Sequence, residues 1–303
     1  MVGTVPTVLA HPTWTALADA HATRVDGLTA AHRQRAAAGR AHPVEDFLFT
    51  YYSLRPGQLR RWHPGAGVVL TGPPDLPALR ERAGWRWHHL VEVDGMTGVT
   101  LDLDAYLADR GGARDHIVAL LQATAGRPPR LGCFGLHEWA MVHAPGQEGR
   151  RHASWPLRLG QEGTDRVVRE SRLRCTHFDA YRFFTDAARP RNDRELTRAT
   201  QVDTEQPGCL HATMDLYKWA YKLGPLVPSA LTARCFALAR EVRELDMRAS
   251  PYDLTALGLT PVTIETPEGR AEYVRLQQDV TARGQQLRAA LLDACTTPVV
   301  TAV

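Results

Sequence analysis

The chain has 303 residues, 44% of them hydrophobic and 23% charged, which is enough to bury a sizeable core in one large domain or two modest ones. A net charge of +3 falls well short of the footprint of an obligate nucleic-acid binder, and no apolar run is long enough for a membrane span. The opening MVGTVPTVLAHPTW has no basic segment leading into a long apolar run, and the five cysteines are odd in number. A cytoplasmic protein with free thiols is therefore expected.

Residues 12–40, rich in Ala, Arg and His, predict a helix that His42-Pro43 interrupts. Residues 44–62 carry a dense aromatic-aliphatic face and predict helix around a break at Pro56. A loop at His63-Pro64-Gly65 leads to a short strand over 66–71 and a short helix over 75–84. The alternating, β-branched stretch 87–103 predicts strand, turn, strand. Residues 104–125 then read as helix, stopped by Gly126, Pro128 and Pro129.

From residue 131 the composition changes. LGCFGLHEWAMVH, PLRLG and RLRCTHFDAYRFF are aromatic, alternate in places and are separated by Gly and Pro, so several strands are expected there. Residues 185–208 are polar and loop-like, and 211–222 predict a helix. Amphipathic helices follow over 229–248 and 267–295. The second of these is started by Thr266-Pro267-Glu268, which supplies an N-cap, Pro at the first helical position and an acid in the first turn. The resulting class is α+β, with a mixed central β region between N-terminal helices and C-terminal amphipathic helices. It is read as a single domain over 1–303, with a subdivision into 1–127 and 128–303 left open.

The middle block repeats its chemistry. Cys133 precedes His137 and Glu138, Cys175 precedes His177 and Asp179, and Cys209 precedes His211 and Asp215. If 175–179 is extended, Cys175, His177 and Asp179 share a face; on a helix, His211 and Asp215 share a side at i and i+4. Imidazoles and carboxylates gathered this way suit acid/base catalysis near neutral pH, with Asp179, Asp215, Glu138, His137, His177 and His211 as candidates. The same histidines, His137, His177 and His211, are equally candidate ligands for a divalent metal. Buried Cys and His also occur as plain packing residues. A closed Cys/His zinc site is disfavoured, because no CxxC is present. Around the block, Arg151, His152, Arg182 and Lys218 could hold an anionic group, and Tyr217 and Trp219 could stack on a planar ring. Asp246, Arg248 and Tyr252 sit where a helix ends, and capping explains them. The segment from His63 to Val68 resembles the turn of helix-hairpin-helix DNA-binding elements, with Asp94 downstream as the acid such a site needs.

Longer strings carry a family resemblance. HPVEDFLFTYYSLRPGQLRRWHPG, CFGLHEWAMV, RCTHFDAYRFFT, EQPGCLHATMDLYKWAYKL, LDMRASPYDL and IETPEGRAEYV, spread from residue 42 to the last predicted helix, resemble an actinobacterial-type family commonly labelled 3-methyladenine DNA glycosylase. That resemblance implies a hydrolase that removes an alkylated purine from DNA and needs no cofactor. Such an enzyme extrudes the base, stacks it on aromatic rings (here Trp139, Tyr217 or Trp219) and places a carboxylate (Asp179, Asp215 or Glu138) near the sugar. Two further readings follow from the residues alone. One is a metal-dependent hydrolase or oxygenase on a small-molecule substrate. The other is a non-enzymatic protein that binds a small ligand. None of the three involves a membrane.

Overall fold

The structure is a computed structural model that describes residues 6–145 and 155–296. In chain order its elements are β1 (Thr7–Ala10), α1 (His11–Ala37), α2 (Phe47–Thr50), α3 (Pro56–Arg60), β2 (Val68–Thr71), α4 (Pro77–Ala83), β3 (His88–Val93), β4 (Met96–Leu101) and α5 (Leu103–Ala125). There follow α6 (Leu136–Ala140), α7 (Gly160–Glu170), α8 (Phe178–Tyr181), α9 (Gln201–Thr204), α10 (Leu210–Lys222), α11 (Ser229–Arg248) and α12 (Pro267–Thr296). The class is α+β. No helix among the described residues is long and apolar enough to cross a membrane.

The chain divides into two compact units, each assembled from separated segments. The first comprises Met1–Ala119, Tyr217–Ala237 and Leu287–Val303. It holds a mixed sheet in the order β1-β2-β4-β3, with β1 parallel to β2 and the other pairs antiparallel. Asp94 and Gly95 join β3 to β4 with φ of 52° and 73°, and Val93 pairs with Met96, as a tight hairpin turn requires. Leu70 and Val99, paired across β2 and β4, form a core with Trp14 of α1, Leu79 of α4 and Trp62. Trp14 Nε1 donates to the Thr71 carbonyl at 3.1 Å, which ties α1 to the C-terminal end of β2. Pro56 and Pro77 stand at the first positions of α3 and α4, where a missing N–H costs nothing.

This geometry corrects the helix-hairpin-helix expectation. Gly67 leads directly into β2 rather than a second helix, Gly65 packs against Pro228, and Asp94 is an exposed hairpin-turn residue.

The second unit comprises Leu120–Leu216 and Leu238–Gln286. The strands expected in the middle block are not there. Among its described residues only isolated bridges occur, Leu157 with Tyr252 and Leu173 with Asn192. LHEWA forms α6 and FDAY forms α8, single helical turns too short for a helical period to show in sequence. Their connections are held by specific side chains. Trp139 Nε1 donates to the Ala249 carbonyl at 2.9 Å, and Arg158 makes paired contacts of 2.7 and 3.1 Å with Glu265. Gln206 Oε1 accepts from the backbone N–H of both Arg130 and Gly208 at 2.8 Å. A Cβ at Gly208 would stand 2.8 Å from the Arg130 carbonyl oxygen, so only glycine permits that approach.

Candidate functional site

The functional side chains of the second unit arrive on short turns and helix ends. Phe134 and Gly135 both take left-handed backbone conformations, with φ of 50° and 68°, immediately before α6. For an aromatic residue this conformation is strained, a feature that concentrates at functional sites. The reversal brings Cys133 Sγ to 3.8 Å from His137 Nδ1. His177 is the extended residue that opens α8, Glu205 the extended residue that closes α9, and α10 presents His211 and Asp215 one turn apart. From α11 come Arg243 and Asp246, at i and i+3.

The histidines, the carboxylates and Arg243 are buried, and the histidines and carboxylates form two adjoining donor groups: His137, His211 and Asp246, then His177, Glu205 and Asp215. Within each group the candidate ligand atoms lie within 4.8 Å of one another. In the second, His177 Nε2 stands 3.3 Å from both Glu205 Oε1 and Asp215 Oδ2. The contact with Asp215 is a hydrogen bond as it stands, and the same spacing matches the roughly 3.3–3.4 Å between donors bonded tetrahedrally at about 2.0–2.1 Å to one ion. Gln201 Nε2 donates to Glu205 Oε1 at 2.6 Å and orients that carboxylate. His211 joins the groups, its ring centroid 4.5 Å from that of His137 and 5.3 Å from that of His177.

The first group carries a charged network. His137 Nε2 donates to Asp246 Oδ1 at 2.7 Å, and Arg243 Nη1 donates to Asp246 Oδ2 at 2.9 Å and Glu138 Oε1 at 3.0 Å. Burial opposes charge on His137, but the Asp246 carboxylate and the Cys133 sulfur outweigh it and hold its pKa well above the ordinary value. Burial alone would raise Asp246, yet the charges of His137, His211 and Arg243 keep it well below the usual carboxylate range. His211 goes the other way. Burial, aided by the neighbouring His137 charge, pushes its pKa well below the ordinary value and leaves a neutral imidazole. It is 8% exposed, and its Nδ1 is buried without a hydrogen-bond partner among the described residues. A neutral imidazole with an unused nitrogen is the form that ligates metals.

The structure thus gathers His137, His177, His211 and Asp215, with Glu138 held at the edge through Arg243. Asp179 belongs to neither donor group. His177 is extended but Asp179 is already helical, and its carboxylate binds Arg198 Nη2 at 3.0 Å and Arg182 Nε at 3.5 Å. The shared face expected for an extended 175–179 is therefore corrected. Arg182 is exposed and lies over the Phe183 ring. Tyr217, Lys218 and Trp219 fall in the first unit. Tyr217 is fully buried between Tyr52 and Phe236, while Trp219 is buried beneath Lys218 Nζ, 4.3 Å from its ring centroid. Trp139 is also fully buried, so none of these aromatic rings presents a face for stacking a base. Arg151 and His152 lie outside the described residues.

Glu205, Arg243 and Asp246 were not foreseen. A signal for Asp246 existed in the sequence. It continues the apolar stripe Cys235, Ala239 and Val242 of α11, all buried, and an acid on a core stripe demands a partner.

Fold and site together define an α+β protein with a buried histidine–carboxylate cluster built on helix ends. No protein-family model, no curated protein and no solved structure matches the chain.

Proposed function

We propose that the protein is a metal-dependent enzyme, a hydrolase or an oxygenase, acting on a small molecule. The observation that carries this reading is the buried group His177, Glu205 and Asp215, whose candidate ligand atoms lie within 4.8 Å of one another, with the neutral His211 beside it. Such nitrogen and oxygen donors suit zinc, iron or manganese, and two imidazoles with one carboxylate are the ligand type of non-haem iron oxygenases. A divalent ion held there supplies Lewis acidity or lowers the pKa of bound water. The chain's own part is to fix the donors: Gln201 orients Glu205, and Asp246 and Arg243 set the position of His137. Elemental analysis of protein purified without a histidine tag tests the reading. Stoichiometric zinc, iron or manganese that is lost in His177→Ala and Asp215→Asn is expected. Protein that takes up none of the three after reconstitution would defeat it. Iron with a dioxygen-sensitive spectrum selects the oxygenase, and zinc the hydrolase.

A second reading is base release from alkylated DNA. It is favoured by one fact: the strings CFGLHEWAMV, RCTHFDAYRFFT, EQPGCLHATMD and LDMRASPYDL, which carry the resemblance, also contribute most of the buried cluster. The burial of Trp139, Tyr217 and Trp219 weighs against it, as does the low net charge. Release of free base from methylated duplex DNA decides the matter; no release, with no salt-sensitive DNA binding, ends this reading. We also place the protein in the cytoplasm, on the strength of five cysteines that are all free thiols.

A further inference from the structure

Beside the cluster, in the same unit, lies a cavity of about 400 Å³, within the size range of small-ligand sites. Three guanidinium-bearing residues line it: Arg130, Arg174 and Arg194. A single carboxylate, Asp193, faces them, and it is already engaged by Arg172 Nε at 2.7 Å and Arg174 Nε at 3.9 Å. Arg130 and Arg194 have no carboxylate partner among the described residues. The cavity therefore carries an uncompensated positive charge.

Leu131, Gly132, Cys133, Cys175 and Thr176 complete its wall, and Cys133 is where it meets the cluster. Cys133 Sγ is the atom 3.8 Å from His137 Nδ1, and Cys175 and Thr176 lead directly into His177. The framework is also tied together. Gln206 accepts from the Arg130 N–H at 2.8 Å and donates to the Arg130 carbonyl at 3.3 Å and to Thr176 Oγ1 at 3.5 Å. The two segments bearing the arginine and the histidine are thus held in register before any ligand arrives.

We propose that this cavity recognises a small substrate bearing an oxyanion, a carboxylate or a phosphate ester, with Arg130 and Arg194 holding that group and the remainder running past Cys133 and Thr176 toward His137 and His177. The inference rests on the metal-centre reading for what happens to the ligand, though not for its binding. Planar guanidinium groups are suited to both oxyanions, and a cavity of this size admits a metabolite-sized molecule.

Calorimetric titration of the full chain with inorganic phosphate and, separately, with succinate tests it. Saturable binding of at least one probe is expected, and the stronger of the two identifies the oxyanion class. Arg130→Gln and Arg194→Gln, both at exposed positions, are each expected to weaken binding by about tenfold or more, through loss of a charge-assisted hydrogen bond. Arg80→Gln, which removes the same charge from α4, should leave it unchanged, and Asp193→Asn should strengthen it. The inference is overturned if neither probe binds, if the arginine substitutions have no effect, or if short duplex DNA alone binds and loses affinity in the same variants. Metal content measured on the same samples keeps the two failures apart. Protein that binds the anion but no metal removes the metal reading alone; protein that loads metal but binds no anion removes this inference alone.

Discussion

Asp246 accepts a 2.7 Å hydrogen bond from His137, a residue 109 positions earlier in the chain. The other oxygen of the same carboxylate receives Arg243 at 2.9 Å, so one fully buried acid serves two cationic partners. Removing one member of a buried charged set leaves the others desolvated and uncompensated. Asp246→Asn keeps the volume but loses the charge, and it is expected to destabilise the protein by about 3–5 kcal/mol. The urea midpoint measures this. An unchanged midpoint would mean that the network adds no net stability.

Among the described residues, the hydrogen bond from the Gln201 side chain to the donor set runs to Glu205, at 2.6 Å. Its removal leaves every proposed ligand in place but frees one carboxylate to rotate. Outer-shell losses of this kind typically cost 10–100-fold in metal affinity, and about that is expected for Gln201→Ala. Competition with a chelator of known affinity measures it, with Gln201→Glu as a control that changes charge while keeping size.

The start of α12 offers a purely local test. Thr266 Oγ1 accepts from the Gly269 N–H at 3.1 Å and donates to the Thr263 carbonyl at 3.0 Å. Thr266→Ala removes the cap and is expected to cost about 1 kcal/mol, read as a lower melting temperature, whereas Thr266→Ser should restore most of it.

Two histidines of the first unit set a pH dependence. Burial lowers His21 from its ordinary value of 6.5, against the opposing hydrogen bond to the Leu59 carbonyl, and burial pushes His63 down to about 3. Both are neutral when folded and take up a proton near pH 6.5 when unfolded. The unfolded state thus binds more protons below that pH, and stability is complete above it and falls as the solution is acidified. The urea midpoint is expected to drop between about pH 7 and about pH 5, with a shallower drop in His21→Gln. An identical slope in the variant would assign the acid sensitivity elsewhere.

Local chemistry was legible in the sequence. The helix start at Thr266-Pro267-Glu268, the hairpin over 87–103 and the helix that carries His211 and Asp215 one turn apart depend on residues within a few positions of one another, and they stand in the structure as expected. The three histidines were found for the same reason, because each repeats a local Cys-His-acid pattern. What the sequence misrepresented was the middle block. Alternation over four or five residues does not distinguish a strand from a single helical turn, and α6 and α8 are single turns.

Partnership was decided by tertiary structure alone. Asp179 has a histidine two residues away in sequence, yet its carboxylate is bound by Arg198 and Arg182, while Asp246, read as a helix-end residue, supplies the carboxylate to His137. The physical reason is burial. A desolvated charge must find its counterpart wherever packing delivers one; the stripe of α11 shows that Asp246 needs a partner, but only packing, which joins α6 to α11 across more than a hundred residues, makes that partner His137.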